Sequence, residues 1–230
     1  MYDKEFQSLQ IVYEDNHLMV INKKAGQLVQ GDKTGDESLL DSIKKFIKIR
    51  DSKPGNVYLG LVHRIDRPTS GLVMYAKTSK ALSRLTQMVK NREIQKTYWA
   101  IVPKETIPQS QKLTHFLRKN EKNNKAIVFP KATEGAKEAV LSYEIIQTLE
   151  NYQLLEVNLE TGRHHQIRAQ LSKIGVPVKG DLKYGAPRSN PDGSISLHAR
   201  KLNFIHPVTK DPVEITAPVP QHDALWKACE

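Results

Sequence analysis

Cysteine is nearly absent from this 230-residue chain: the single one, Cys229, stands next to the last residue. One thiol cannot close an internal disulfide or build a cysteine metal cluster, so a reducing compartment is favoured. Long apolar runs are also lacking, and none approaches the ~18 residues that a membrane-spanning helix needs. The first ten residues are polar, with Asp3, Lys4 and Glu5 among them, and do not read as a signal peptide. There is no internal repeat, low-complexity tract or flexible linker. Acidic residues are outnumbered, 25 against 35 Lys and Arg, which leaves a formal net charge of +10. That excess points to a polyanionic partner, most simply a nucleic acid. Apolar residues make up 39%, and a chain of this length buries roughly 70% of its unfolded surface without staples.

Residues Leu9–Tyr13 and His17–Asn22 read as short strands around the turn Glu14-Asp15-Asn16. Leu39, Leu40, Ile43, Phe46 and Ile47 recur at helical spacing and predict an amphipathic helix over 37–48, after a loop at 31–35. Val57–Val62 and Leu72–Ala76 are strand candidates. Thr78 or Ser79 can cap a helix carrying Leu82, Leu85, Met88 and Val89. Ile94–Val102 is another strand, and Asn120–Lys125 a polar hairpin tip. Residues 139–149 and 152–159 read as paired strands. A helix over 164–174 follows, ended by Gly175 and Pro177. Pro187–Gly193 is a loop. Residues 195–199, 201–205 and 213–217 are strand candidates, and 222–229 a short final helix. Strands outnumber helices and join through hairpin-length connections. This predicts an α+β fold with a mixed, mostly antiparallel sheet and flanking helices, over one continuous domain 1–230 or two lobes sharing the sheet.

Three segments carry chemistry. In His63-Arg64-Ile65-Asp66-Arg67-Pro68-Thr69-Ser70-Gly71 one acid sits between two arginines on a turn. Neighbouring cations keep a carboxylate ionised, and an ionised Asp can act as a nucleophile. An arbitrary Arg-x-Asp-Arg is more often a weak surface ion pair. The second segment is Gln95-Lys96-Thr97-Tyr98-Trp99-Ala100, in which Tyr98 alone is equally a core aromatic of a strand. The third runs from Glu160 to Arg168. Thr161 can cap a helix, Gly162 admits close approach, and Arg163 with His164 crowns the first turn. Arg168, beside the apolar Ile167 and Leu171, wants a carboxylate, and Asp66 is the candidate; a plain surface cation fits the spacing as well.

Together these residues resemble the RluA-type pseudouridine synthases, which isomerise uridine in ribosomal or transfer RNA. The stretch from His63 to Leu72 is similar to that family's signature. Glu14 to Gly26 resembles its first motif, and Lys96-Thr97-Tyr98 its Lys-x-Tyr motif. Thr161 to Arg168, Gly175 to Asp181 and Tyr184-Gly185 are similar to its last long motif. Leu197-His198-Ala199 and Phe204-Ile205-His206-Pro207 resemble its C-terminal strand pair. The matches span about residues 11 to 217, and several ordered motifs are more specific than any single one. The resemblance implies that Asp66 is the catalytic aspartate. It implies that Tyr98 packs against the target base, that Arg168 pairs with the aspartate and that Ile167 lines an apolar wall. It implies that Arg64 fills the gap left by the extracted base. His63, Arg67, Thr69, Arg163 and His164 would contact the RNA. No cofactor and no metal is implied, because the isomerisation adds and removes no atom. Nucleophilic attack on the sugar and proton removal to a glycal both remain open. Two positions depart from the family pattern: His164 stands where Thr is common, and Gly26–Asp32 lacks a His-Pro. The family's small N-terminal RNA-binding domain is not expected here.

Three other classes compete. His63-Arg64-x-Asp66 resembles a kinase catalytic loop, but no glycine-rich loop or Asp-Phe-Gly accompanies it. A metal-dependent hydrolase would use His63, Asp66, His164, His165 and His198, yet adjacent histidines on a helix diverge. A non-catalytic basic RNA-binding protein explains the charge and leaves Asp66, Tyr98 and Arg168 without use. The expected setting is a cytoplasmic monomer with an rRNA or tRNA partner and no membrane.

Overall fold

The structure is a computed structural model that describes residues 6, 9–31 and 35–230. The polar start of the chain and the centre of the loop expected at 31–35 thus lie outside the described residues, as does Asp32 of the loop after Gly26. The chain divides into two compact units, Met1–Ile94 with Ala199–Pro220, and Gln95–His198 with Gln221–Glu230. Both combine antiparallel strands with flanking helices, in line with the α+β expectation. No described helix is long and apolar enough to cross a membrane.

The first unit runs β1 (Ile11–Glu14), β2 (Leu18–Lys23), α1 (Leu39–Arg50), β3 (Gly60–Leu61), β4 (Ser70–Ala76) and α2 (Ser79–Lys90). Strands β1 and β2 form the expected hairpin. Strand β2 pairs antiparallel with β4, from Leu18 opposite Ala76 to Lys23 opposite Gly71. Both strands are buried along their whole length, which is what a continuous apolar run specifies when both faces are covered. Helix α1 buries Leu39, Ile43 and Ile47 on one stripe and is capped by Ser38. Thr78 caps α2, its hydroxyl accepting from the Ala81 amide. The strand expected over 57–62 shrinks to β3; just beyond it the Val62 amide still donates to Met74 O of β4 at 3.2 Å, and the chain then turns toward Asp66.

Strand β10 (Leu197–Ile205) lies beside β4 and pairs with β11 (Pro212–Thr216). The two short strands expected over 195–205 are therefore one. The charged pair Arg200-Lys201 breaks the apolar pattern but not the ladder: the Arg200 guanidinium reaches the Ala217 carbonyl, and the Ala217 amide donates to Arg200 O at 2.8 Å. At the β10–β11 turn, buried His206 accepts at Nδ1 from the Val208 and Thr209 amides and faces Asp15 Oδ2 through Nε2 at 2.8 Å. Nδ1 thus serves as the acceptor that closes the turn.

The second unit contains β5 (Gln95–Pro103), β6 (Ser110–Asn120), β7 (Lys125–Phe129), β8 (Lys137–Thr148) and β9 (Tyr152–Leu159), in the order β5-β9-β8-β6-β7. The expected pairing of β8 with β9 is present. Helix α3 (Gln166–Lys173) packs on β6 and β7, and the last short helix is α4 (Ala224–Lys227). Gly175 ends α3 in the left-handed region at φ 88°, where glycine carries no Cβ penalty.

Candidate active site

In the first unit, the chain leaving β3 reaches a reverse turn that begins at Asp66. The Thr69 amide donates to Asp66 O at 3.1 Å, and the chain then enters β4 at Ser70. Asp66 and His63 are half-buried, Arg64 and Arg67 are exposed, and Ile65 and Thr69 are buried. These two buried residues root the turn on either side, while the half-buried carboxylate and the two arginines stay near solvent. Arg67 is tied down on both sides of its backbone. Its Nε donates to Gly26 O at 2.9 Å, its own carbonyl accepts from the Gly26 amide at 2.8 Å, and its guanidinium meets Asp36 at 2.9 Å. The loop after β2 thus braces the turn. Lys23 joins the brace from beneath: its ammonium is buried and donates to the carbonyls of Lys24, Gln27 and Arg67. Burial pulls that ammonium down to about 7, while the nearby Asp66 charge favours its protonated form.

In the second unit, the residues expected to act lie on β5 and on the approach to α3. Tyr98 is buried on β5 opposite Val157 of β9. Lys96, two residues earlier, is held below its ordinary pKa by burial and reaches over Gly162. Thr161 was expected to cap the helix, but its hydroxyl instead accepts from the Val140 amide at 2.8 Å and bonds Gln166 Oε1 at 2.8 Å. Gln166 Oε1 also accepts the Arg163 amide, and Gln166 Nε2 donates to Val140 O. One glutamine side chain therefore closes the loop into the helix. The N-cap is His165, in the left-handed region at φ 50° and ψ 28°, with no side-chain cap bond. A non-glycine residue there costs of order 1–3 kcal/mol and persists only where its surroundings impose it.

That backbone turn changes what the histidine pair does. His164 and His165 do not diverge as two helical neighbours would; their rings stack with centroids 3.7 Å apart. His165 Nδ1 lies 2.9 Å from the Tyr184 hydroxyl, which already accepts the Ala126 amide at 2.7 Å. The Tyr184 hydroxyl thus links the Ala126 amide on β7 to the His165 ring. Among the described residues no group of His, Cys, Asp and Glu has the arrangement of a metal site.

Arg168 is buried, as is the adjacent Ile167. Its Nε and Nη2 fork onto Asp181 at 2.6 and 2.8 Å, and its guanidinium lies 5.1 Å from the Tyr184 ring centroid. Sequence reasoning asked for a carboxylate at Arg168 but did not see Asp181, although it is 13 residues away in the same motif stretch. Arg163, half-buried, donates from Nε to Glu138 O at 2.7 Å. His63, Arg64, Asp66, Arg67 and Thr69 thus share one turn of the first unit. Arg163, His164, Ile167 and Arg168 share the α3 entry of the second, with Tyr98 on β5.

Comparison with known proteins places this geometry in context. The family model described as RNA pseudouridylate synthase matches residues 17–173. An uncharacterized RNA pseudouridine synthase of Bacillus subtilis is 33% identical, over 93% of this chain and 70% of its own length. Ribosomal large subunit pseudouridine synthase D of Zymomonas mobilis is 35% identical, over 93% and 70%. Ribosomal large subunit pseudouridine synthase C of Vibrio vulnificus is 34% identical, over 94% and 67%. The chain thus spans about two thirds of the length of these relatives. Among solved structures, human RNA pseudouridylate synthase domain containing 4 superposes with a TM-score of 0.77 at 23% identity, covering 93% of this chain and 89% of that one. At that identity the likeness speaks for the fold.

Proposed function

This chain belongs to the RNA pseudouridylate synthase family, and from that premise we propose that Asp66 is the carboxylate with which it isomerises uridine to pseudouridine in RNA. The observation that carries the reading is the braced turn: a half-buried carboxylate, held by its backbone and flanked by two exposed arginines. The reaction breaks the bond from ribose C1′ to uracil N1, turns the base, and joins C1′ to C5. The C5 proton is lost and N1 gains one, so the atoms balance without a cofactor. An ionised Asp66 serves either route, as nucleophile at C1′ or as base toward the sugar. The uridine must first leave its stack, because C1′ is shielded within a helix.

Tyr98 packs against the extracted base, Ile167 walls it, and Arg168 pairs with the carboxylate. The Asp181 fork supports that role for Arg168 by fixing the orientation of its guanidinium. Arg64 enters the vacated base position, and His63, Arg67, Thr69, Arg163 and His164 meet the RNA. The substrate is ribosomal or transfer RNA, and the protein works in the cytoplasm as a monomer.

Total RNA from a strain lacking the gene, incubated with wild type and with Asp66→Asn and then mapped for pseudouridine, tests this. New sites should appear with wild type and none with Asp66→Asn, while both bind RNA alike. Product from Asp66→Asn would remove Asp66 from the chemistry. RNA binding without product from either protein would favour a non-catalytic RNA-binding protein.

A further inference from the structure

Lys23 ends a strand whose preceding residues Leu18–Ile21 are fully apolar, and it is as buried as they are, at 1% exposure. Its neighbour Lys24 is exposed. A buried ammonium costs several kcal/mol unless its donors are met, so filling the core alone would favour methionine at this position. The donors are met in one particular way. Nζ gives its three protons to the carbonyls of Lys24 at 2.9 Å, Gln27 at 3.1 Å and Arg67 at 3.1 Å. Two of these acceptors belong to the loop after β2. The third belongs to the residue that immediately follows Asp66.

We infer that Lys23 is the positioning residue of the Asp66 turn, its ammonium drawing the β2 loop and the backbone beside the carboxylate onto one buried point. The inference rests on the reading of Asp66 given above and deepens it. Only the protonated amine has three donors; a neutral amine has two and would leave one carbonyl unmet. The bonds from Arg67 to Gly26 run between the same two segments but lie at the surface, where water competes for them. Lys23 is the part of the brace that water does not reach. The Asp66 carboxylate also favours the charged form of the amine. The charge that does the chemistry thus helps hold the clamp that aims it.

The test compares wild type, Lys23→Met and Lys23→Gln in two measurements. One is the rate of pseudouridine formation against concentration of total RNA from a strain lacking the gene. The other is amide hydrogen exchange, read peptide by peptide. Misplacement of a reacting group by ~1 Å costs on the order of 100-fold in rate. We expect Lys23→Met to lose about that factor in kcat with KM within about twofold, and exchange to quicken over 24–28 and 63–69 while β2 and β4 stay protected. Unchanged kcat in Lys23→Met overturns the inference, as does faster exchange across β2 and β4, which would make Lys23 a general core residue. If Lys23→Met does not fold, Lys23→Gln is read by the same criteria, and failure of both to fold also overturns it. If wild type leaves the RNA unmodified, the reading of Asp66 falls, while the exchange pattern still decides the clamp.

Discussion

A buried guanidinium that loses its carboxylate keeps its charge, because arginine does not deprotonate in proteins. Arg168 and Asp181 are 5% and 1% exposed at their side chains, so Asp181→Asn takes the bidentate carboxylate from a cation in the interior. Breaking one side of such a pair costs about 3–5 kcal/mol. Urea denaturation of Asp181→Asn should show a loss of that order, and a loss below about 1 kcal/mol would mean that water reaches the guanidinium. That Arg168 needs a carboxylate was legible as one of two readings, since an arginine beside Ile167 and Leu171 on a helix can face inward or lie at the surface. The identity of Asp181 was not: nothing in local spacing says that the chain after Val178 returns to α3. The same holds for His165. Its left-handed backbone, which stacks it on His164, has no signature in a His-His pair, and a plain helical reading sends the two rings apart.

Among the elements, β2 and β4, α1 and α2 follow from periodicity and caps, because their apolar residues bury on consistent faces. Strands β6 and β7 do not announce themselves in the same way. Along β6 only Leu113 and Leu117 are buried, separated by polar and half-buried residues, so only the polar tip at 120–125 was readable. The close approach of β4 to β10 is decided at Gly71. A Cβ there would stand 2.4–2.8 Å from the backbone of Ala199, and its φ of +109° is unfavourable for any side chain. Gly71→Ala must push the strands apart as well as strain its own backbone, and we expect it to cost about 3 kcal/mol, combining the strain of such a φ with overpacking. The shift of the urea midpoint measures this; a shift worth less than about 1 kcal/mol would show that β4 and β10 can separate at little cost. Because Gly71 lies five residues after Asp66, the loss should also appear as faster amide exchange through the turn.

On the scale of the whole molecule, the +10 charge is unevenly spread. Between Ser110 and Lys137 seven lysines and arginines face two glutamates, which accounts for half of the excess. Several of these cations stand on the β6–β7 hairpin and its continuation, where Lys122, Lys131 and Lys137 are exposed. Each lysine that neutralises an RNA phosphate contributes about one to the slope of log affinity against log salt. Lys122→Gln combined with Lys131→Gln should flatten that slope by up to about two while leaving the turnover of bound RNA unchanged; a slope equal to that of wild type would place the RNA elsewhere. The sequence by itself determined the fold class, most elements, the excess of cations and the Asp66 turn. These are written in short-range periodicity, in turn residues and in contiguous motifs. Only the tertiary structure decided which partners the buried polar groups take: Lys23 with the Arg67 carbonyl 44 residues on, Arg168 with Asp181, and Tyr184 with Ala126 and His165. A charge or hydroxyl leaving water must find its hydrogen bonds wherever the fold brings a complementary group, and that choice depends on chain crossings that no local pattern encodes.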